Sequence, residues 1–376
     1  VRYNKKVFRQ VDLTLPLLAF FLVCIGLIMI SSATQPSPDA WQTGHFQRQL
    51  VSAIIGFLLM LVVTFFDYRL LRDYYLFFYG GALVLLILNL MRGGEGGVAA
   101  QRSMSIGPLA FQPSELTKMG LIILLSYILS QEKDEISATA LGKTLLATVL
   151  PFLLIIRNDL GTSLVFGFIL LVMLYIAGFP GLYLLGASGG AVLGVMGWIL
   201  VHLQWGIWIP LKEYQLMRII VFWNPGMDPF GYGYHLIQSK IALGSGNITG
   251  KGIFAGTQSR LNFIPEQHTD FIFSVLGEEM GFIGAVVLLI LYLLLLLKGF
   301  QVSFQAKDRF GSLLAAGITG MFGFHIFVNI GMTMGILPVT GLPLPFVSYG
   351  GSALTTNLLA IGILLNIYMR RQKIYF

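Results

Sequence analysis

Asp270 closes the run Pro265-Glu-Gln-His-Thr-Asp270, directly ahead of a long apolar stretch. At a boundary between water and lipid, with Glu266 and His268 close in sequence, a partly desolvated carboxylate can act as a general base. The competing role is structural, because Asp is a common helix cap worth about 0.5–2 kcal/mol. Glu278 and Glu279 follow about 12 Å further along a helix and suggest a path of carboxylates into the membrane. A second polar group, Gln112-Pro-Ser-Glu115 with Lys118, sits at the head of another apolar run. Pro113 suits a first helical turn, and Glu115 and Lys118 at i, i+3 share a face. They read either as an ion pair that lets the helix insert or as a contact to a diphosphate or an acceptor hydroxyl. His325 and Asn329, at i, i+4, can share a hydrogen bond. The run from Leu337 to Ser352, rich in Pro and Gly, predicts non-helical backbone packed on protein or lining a wet cavity, and it contains Ser348.

Other chemistries lack their residues. The five histidines show no paired ligand spacing and none lies near Cys24, the single cysteine, so no zinc site or internal disulfide is expected. The stretch from Gly244 to Gly252 resembles a phosphate loop but has Ser245 where Gly is needed and Gly252 where Ser or Thr is needed. It reads as a flexible turn or as a backbone cradle for an anionic lipid headgroup.

These groups need elements to hold them, and the composition says which. Over 376 residues, 56% are hydrophobic and 11% charged, which argues against a water-soluble chain. The net charge of +7 does not signal nucleic acid, because the basic residues lie between apolar runs. A bilayer core about 30 Å thick needs roughly 20 apolar residues per helix. Ten such runs are predicted, at 13–32, 46–66, 73–91, 114–131, 139–156, 159–178, 181–203, 271–298, 311–337 and 350–369. Only Arg157, Asn158 and Asp159 separate the fifth from the sixth, which implies a tight turn at the surface. The first run is longer than a cleavable signal and is expected to be retained.

With both ends cytoplasmic, fourteen Lys and Arg fall on inside segments against three in short outer loops. Arg48, Lys118, Lys212, Arg218, Lys240, Lys251 and Arg260 fall at outer helix ends or in the long loop 204–270, and each needs a reason. That loop is expected to be folded, with 234–243 as a short amphipathic surface helix. Gly186, Gly190 and Gly194, at four-residue spacing, predict close packing of the seventh span. The expectation is thus an all-α polytopic membrane protein, one domain over 1–376.

Taken together, the chain resembles the SEDS family of bacterial cell-wall proteins, its RodA branch in particular. The resemblance runs over essentially the whole chain. It is carried by Gln112-Pro-Ser-Glu115 with Lys118, Asp159-Leu-Gly-Thr162, Ile264 to Phe273 with Glu278-Glu279, and Leu337 to Ser352. The Pro343-Leu-Pro345 run and Ala353 look more like RodA than the division protein FtsW. Asn158 stands where relatives often have Pro, Ser103 where they have Trp, and Ala110 where some have an arginine that Arg102 could replace.

The resemblance implies a glycosyltransferase of the inner membrane that polymerises lipid II on the outer face during elongation. A class B penicillin-binding protein is the implied transpeptidase partner. It maps the essential acid onto Asp270. The acceptor GlcNAc 4-hydroxyl would attack donor MurNAc C1 with inversion and release undecaprenyl diphosphate. Arg48, Lys118 and Arg102 would neutralise that leaving group, with or without a divalent cation such as Mg or Mn. Gln112, Glu115, Glu266, His268, His325 and Ser348 would line the substrate site. The rivals are a lipid II flippase, a scaffold, and an FtsW-type division polymerase.

Overall fold

The computed structural model describes residues 12–34, 44–92, 104–106, 109–132, 135–156, 158–209, 211–228, 231–261 and 263–371. Among them a long helix stands at each of the ten expected positions. These are α1 (Thr14–Thr34), α2 (Gly44–Phe65), α4 (Tyr75–Arg92), α5 (Pro113–Ser130), α6 (Ala138–Ile156), α7 (Leu160–Ile176), α8 (Gly181–Trp205), α12 (Ile272–Gln305), α13 (Arg309–Met334) and α14 (Gly351–Met369). Seven of them, α1, α2, α6, α8, α12, α13 and α14, are long and apolar enough to cross a membrane, and α4 and α7 are apolar but shorter. The chain is an all-α polytopic membrane protein, with short α3 (Arg69–Asp73) and one antiparallel hairpin, β1 (Met104–Ile106) with β2 (Leu109–Phe111), among the described residues. The basic start with Arg2, Lys5, Lys6 and Arg9, and Arg157 in the tight turn, lie outside them.

Helix α13 runs through the centre, packed on α5, α7 and α12. Its many small residues allow that: a Cβ on Gly317 would lie 2.7 Å from Ile122 and one on Gly320 2.9 Å from Val172. Helices α2 and α14 meet in the same way, since a Cβ on Gly362 would lie 2.7 Å from the Met60 carbonyl oxygen. The expected close packing of α8 is not found. Nothing approaches within 4 Å of the Cβ positions of Gly186, Gly190 or Gly194, and α8 is largely exposed. Spacing alone could not reveal this, because a small-residue stripe specifies a close approach only when a partner faces it.

The segment between α8 and α12 is folded, as expected. It carries α9 (Glu213–Trp223), α10 (Tyr232–Ser245) and α11 (Thr257–Arg260). The surface helix predicted at 234–243 is α10, while α9 had no clear signal. Helix α12 runs seven residues past its expected end and breaks at Gly281, with φ 63° and ψ −162°. Chain 246–252 fills the break. Lys251 and Gly252 donate backbone N–H groups to the Glu278 and Glu279 carbonyls, both at 3.0 Å. Phe282 and Ile283 donate to the Asn247 and Ile248 carbonyls at 2.9 and 3.1 Å. The loop therefore caps both half-helices, whose end groups would otherwise be orphaned. Cβ atoms on Gly246 and Gly250 would overlap the carbonyls of Gly277 and Glu279. This corrects the reading of the glycine run as a flexible turn or headgroup cradle, because its donors at Lys251 and Gly252 are spent on α12.

Between α13 and α14 the chain is non-helical, as predicted, and Leu342, Leu344, Phe346 and Val347 are at most 2% exposed. It packs on protein: Tyr292 donates its hydroxyl to the Pro345 carbonyl at 2.6 Å, and a Cβ on Gly26 of α1 would lie 2.7 Å from Val347 Cα.

Candidate active site at the head of the bundle

Asp270 lies in a turn that runs into α12. The N–H groups of Thr269 and Asp270 both donate to the Glu266 carbonyl at 3.1 Å. Phe271 is the cap residue of α12, and its own side chain makes no capping hydrogen bond. Asp270 therefore stands one residue ahead of the N-cap position.

Three successive carbonyls fix this turn. That of His268 accepts from the Tyr349 N–H at 2.9 Å, that of Thr269 from the Ser348 hydroxyl at 2.6 Å, and that of Asp270 from Asn329 Nδ2 at 2.9 Å. Asn329 also donates to the Leu342 carbonyl at 2.7 Å, and Ser348 Oγ accepts the Leu344 N–H at 2.8 Å. Central helix, non-helical segment and Asp270 turn are thus one hydrogen-bonded unit. Asn329 does not pair with His325 as expected, because the backbone of the turn takes its amide.

Gly341 explains a gap beside the carboxylate. Its φ is 77°, and a Cβ there would lie 3.2 Å from Asp270 Oδ2 and 3.6 Å from Arg218 Nη1. Arg218 comes from α9 and donates to the Thr340 carbonyl at 3.4 Å. Asp159 caps α7 through the Thr162 N–H at 3.0 Å, and a Cβ on Gly161 would lie 2.7 Å from the same Thr340 oxygen. The Asp159 motif therefore supports the Gly341 notch.

Beneath the non-helical segment lies a buried polar triad. Lys118 Nζ is 2.8 Å from Glu115 Oε1 and 3.1 Å from His325 Nε2, while His325 Nδ1 is 2.8 Å from the Met321 carbonyl. A carbonyl only accepts, so Nδ1 carries the proton and Nε2 receives the ammonium. Lys118 is 1% exposed and held by both partners. Its charge is held inside the bundle, next to a small pocket that Glu115, His325, Pro343, Phe346, Ser348 and Asn357 help to line. Gln112 is half-buried and its backbone N–H is taken by Ser352 Oγ at 3.0 Å.

At the surface, the His45 ring lies 4.9 Å from both His268 and Tyr349, and Arg48, one turn on, is exposed. Burial pushes the His268 imidazole below its usual pKa, the His45 charge adds to this, and Glu266 opposes it. Glu266 is exposed and has φ 50°. Arg102 lies outside the described residues.

The carboxylate path is not realised. Glu278 accepts from Lys251 Nζ at 2.8 Å and from the N–H groups of Thr257, Gln258 and Ser259 at 2.7, 2.9 and 3.2 Å, so it clamps α11. Glu279 accepts from the Ser32 hydroxyl. Among the described residues no three His, Cys, Asp or Glu side chains converge on one point. A wide apolar groove lined by Phe168, Tyr175, Leu184, Phe300 and Phe304 lies towards the other end of α7 and α12, far from Asp270.

The sequence reading missed Arg218, Asn329 and Gln49 as parts of this site. Gln49 is 1% exposed, donates to the Ser348 carbonyl at 3.2 Å and accepts the Gly350 N–H at 3.1 Å. An amide in the second turn of an apolar helix, next to Gln47 and Arg48, was its only signal.

Comparison with known proteins gives one answer over the whole chain. The family model FTSW_RODA_SPOVE, described as cell cycle protein, matches residues 12–373. The "Probable peptidoglycan glycosyltransferase FtsW" of Geobacter sulfurreducens is 37% identical over 374 residues, covering 98% of this chain and 97% of its own. The "Peptidoglycan glycosyltransferase RodA" of Treponema pallidum is 35% identical over 425 residues, covering 96% and 98%. A chain from the solved structure "Structural coordination of polymerization and crosslinking by a peptidoglycan synthase complex" superposes with a TM-score of 0.78 at 32% identity, covering 96% and 98%.

Proposed function

The chain belongs to the FtsW/RodA/SpoVE family, the SEDS proteins, and on that premise we propose that it is a peptidoglycan glycosyltransferase that polymerises lipid II with Asp270 as its general base. The observation that carries this reading is the Asp270 turn: its backbone is fixed through three carbonyls while its carboxylate borders the Gly341 notch.

In this mechanism Asp270 takes the proton of the acceptor GlcNAc 4-hydroxyl as that oxygen attacks MurNAc C1. The bond from C1 to the diphosphate oxygen breaks with inversion, and its electron pair leaves on undecaprenyl diphosphate. Such a leaving group needs charge neutralisation more than a proton. Exposed Arg48 suits that task, and Arg102 remains a candidate. Buried Lys118 acts by holding Glu115 and His325 under the 343–348 segment, and Ser348 by fixing the turn.

We read residues 1–376 as one domain, with ten spans, both termini cytoplasmic, and Asp270 with the long loop facing outward in the inner membrane. Fourteen inside cations against three support that orientation. A class B penicillin-binding protein is the proposed partner, in keeping with the similar chain's place in a synthase complex. The Pro343-Leu-Pro345 run and Ala353 favour the elongation role, although relatives of both names are about equally similar. A flippase would use the broken helix as a moving part, and the plug at Gly281 speaks against that.

The test is the purified chain with its partner transpeptidase, turning over labelled lipid II in the presence of moenomycin. Asp270→Asn and Asp270→Ala should fold and bind the partner yet lose glycan synthesis by about 10²–10⁴-fold. Wild-type polymerisation by both variants would sink the assignment.

A further inference from the structure

Arg218 is one of the seven cations whose place the sequence left unexplained, and the structure gives it a specific neighbour. The rest of α9 is anchored by its first turn. Lys212 Nζ donates to Asn158 Oδ1 at 3.2 Å, the Tyr214 hydroxyl to the Asn158 carbonyl at 3.0 Å, and Gln215 Nε2 to the Ile156 carbonyl at 2.9 Å. These bonds tie a loop helix to the turn between α6 and α7. Arg218, one turn beyond, sits with its guanidinium carbon 5.6 Å from the Tyr214 ring centroid and reaches the Thr340 carbonyl. There it meets the notch at Gly341, whose absent Cβ would lie against Arg218 Nη1 on one side and Asp270 Oδ2 on the other. Cation and carboxylate border the same small space.

We propose that Arg218 is a positioning residue for the reaction: acting across the Gly341 notch, it holds the Asp270 carboxylate ionised and aimed, ready to accept the acceptor's proton. The proposal rests on Asp270 being the base. A guanidinium keeps its charge throughout the working pH range, and an opposite charge within a few ångströms of a carboxylate favours its ionised form. The other groups around this pair do not duplicate that effect. On the turn itself stand the acidic Glu266 and His268, which burial and His45 hold towards the neutral form. From α10 comes His235, which burial and Arg218 itself disfavour as a cation, with Asp228 and Glu266 opposing. Central helix α13 presents the neutral Asn329, and the non-helical segment presents backbone and the Ser348 and Thr340 hydroxyls. The notch also accounts for glycine at 341, where any side chain would wedge between the two charges.

The experiment is the pH profile of kcat/KM for lipid II polymerisation by the full chain with its partner transpeptidase. Wild type, Arg218→Lys, Arg218→Gln and Gly341→Ala are compared, each checked for thermal unfolding. In Arg218→Gln the acidic limb should move up by about one pH unit or more, while Arg218→Lys, which keeps a cation, should stay close to wild type. An Arg218 that served only to pack the loop would lower the rate at every pH and leave the limb in place, and that result overturns the proposal. If Arg218→Gln does not fold, Gly341→Ala carries the test: a raised limb supports the proposal and an unmoved one ends it. Full activity of Asp270→Asn would instead remove the base itself, so failure of the two readings can be told apart.

Discussion

The Ser348 hydroxyl donates a 2.6 Å hydrogen bond to the Thr269 carbonyl, joining the segment that leads into α14 to the residue just ahead of Asp270. The same oxygen accepts the Leu344 N–H at 2.8 Å, so one side chain closes the segment on itself and onto the turn. The position of the carboxylate is thereby set from a place almost eighty residues away in sequence.

Ser348→Ala should leave the buried Leu344 N–H without its partner and release the Thr269 carbonyl. The expected cost is about 1–3 kcal/mol of stability. Polymerisation should fall further than unfolding explains, because the turn loses one of its three ties. Thermal unfolding in detergent and a lipid II assay on the same preparation check both parts.

Glu115 and Lys118 form an ion pair whose side chains are at most 4% exposed. Lys118→Met alone leaves a buried carboxylate uncompensated and should cost about 3–5 kcal/mol. The double variant Glu115→Gln with Lys118→Met should recover most of that stability, since neither charge then remains. Equal instability of single and double variants, read by thermal unfolding, would contradict a simple pair.

The plug in α12 predicts a sharp contrast among glycines. Gly250, at φ 79°, has no room for a Cβ against Glu279, so Gly250→Ala should destabilise by about 1–3 kcal/mol. Gly190→Ala on the open face of α8 should be neutral or slightly stabilising, since Ala favours helix over Gly by about 1 kcal/mol. Melting temperatures of the two variants side by side make the comparison.

His268 predicts a pH effect with a definite sign. Burial and the His45 charge lower its pKa in the folded chain below the ordinary 6.5. Below pH 6.5 the unfolded chain therefore binds the proton more readily than the folded one, so this contribution to stability is complete above pH 6.5 and is lost as pH falls. Unfolding temperatures should drop between pH 7 and 5, and less steeply in His268→Gln, which keeps the backbone carbonyl held by Tyr349. An unchanged slope would place the titration elsewhere.

What the sequence determined by itself was local: ten apolar runs, the polar residues that interrupt them, and Asp270 at the head of the eighth. Those signals are readable because burying a charge in lipid is costly and apolar length must match the bilayer, so a short window carries them. Tertiary structure decided the rest. That Arg218 and Asp270 both border Gly341, that 246–252 plugs α12 at Gly281, and that the stripe on α8 faces nothing all depend on which distant backbone groups and side chains come together. Helical spacing specifies which residues share a face, and only packing of the whole chain specifies what that face meets.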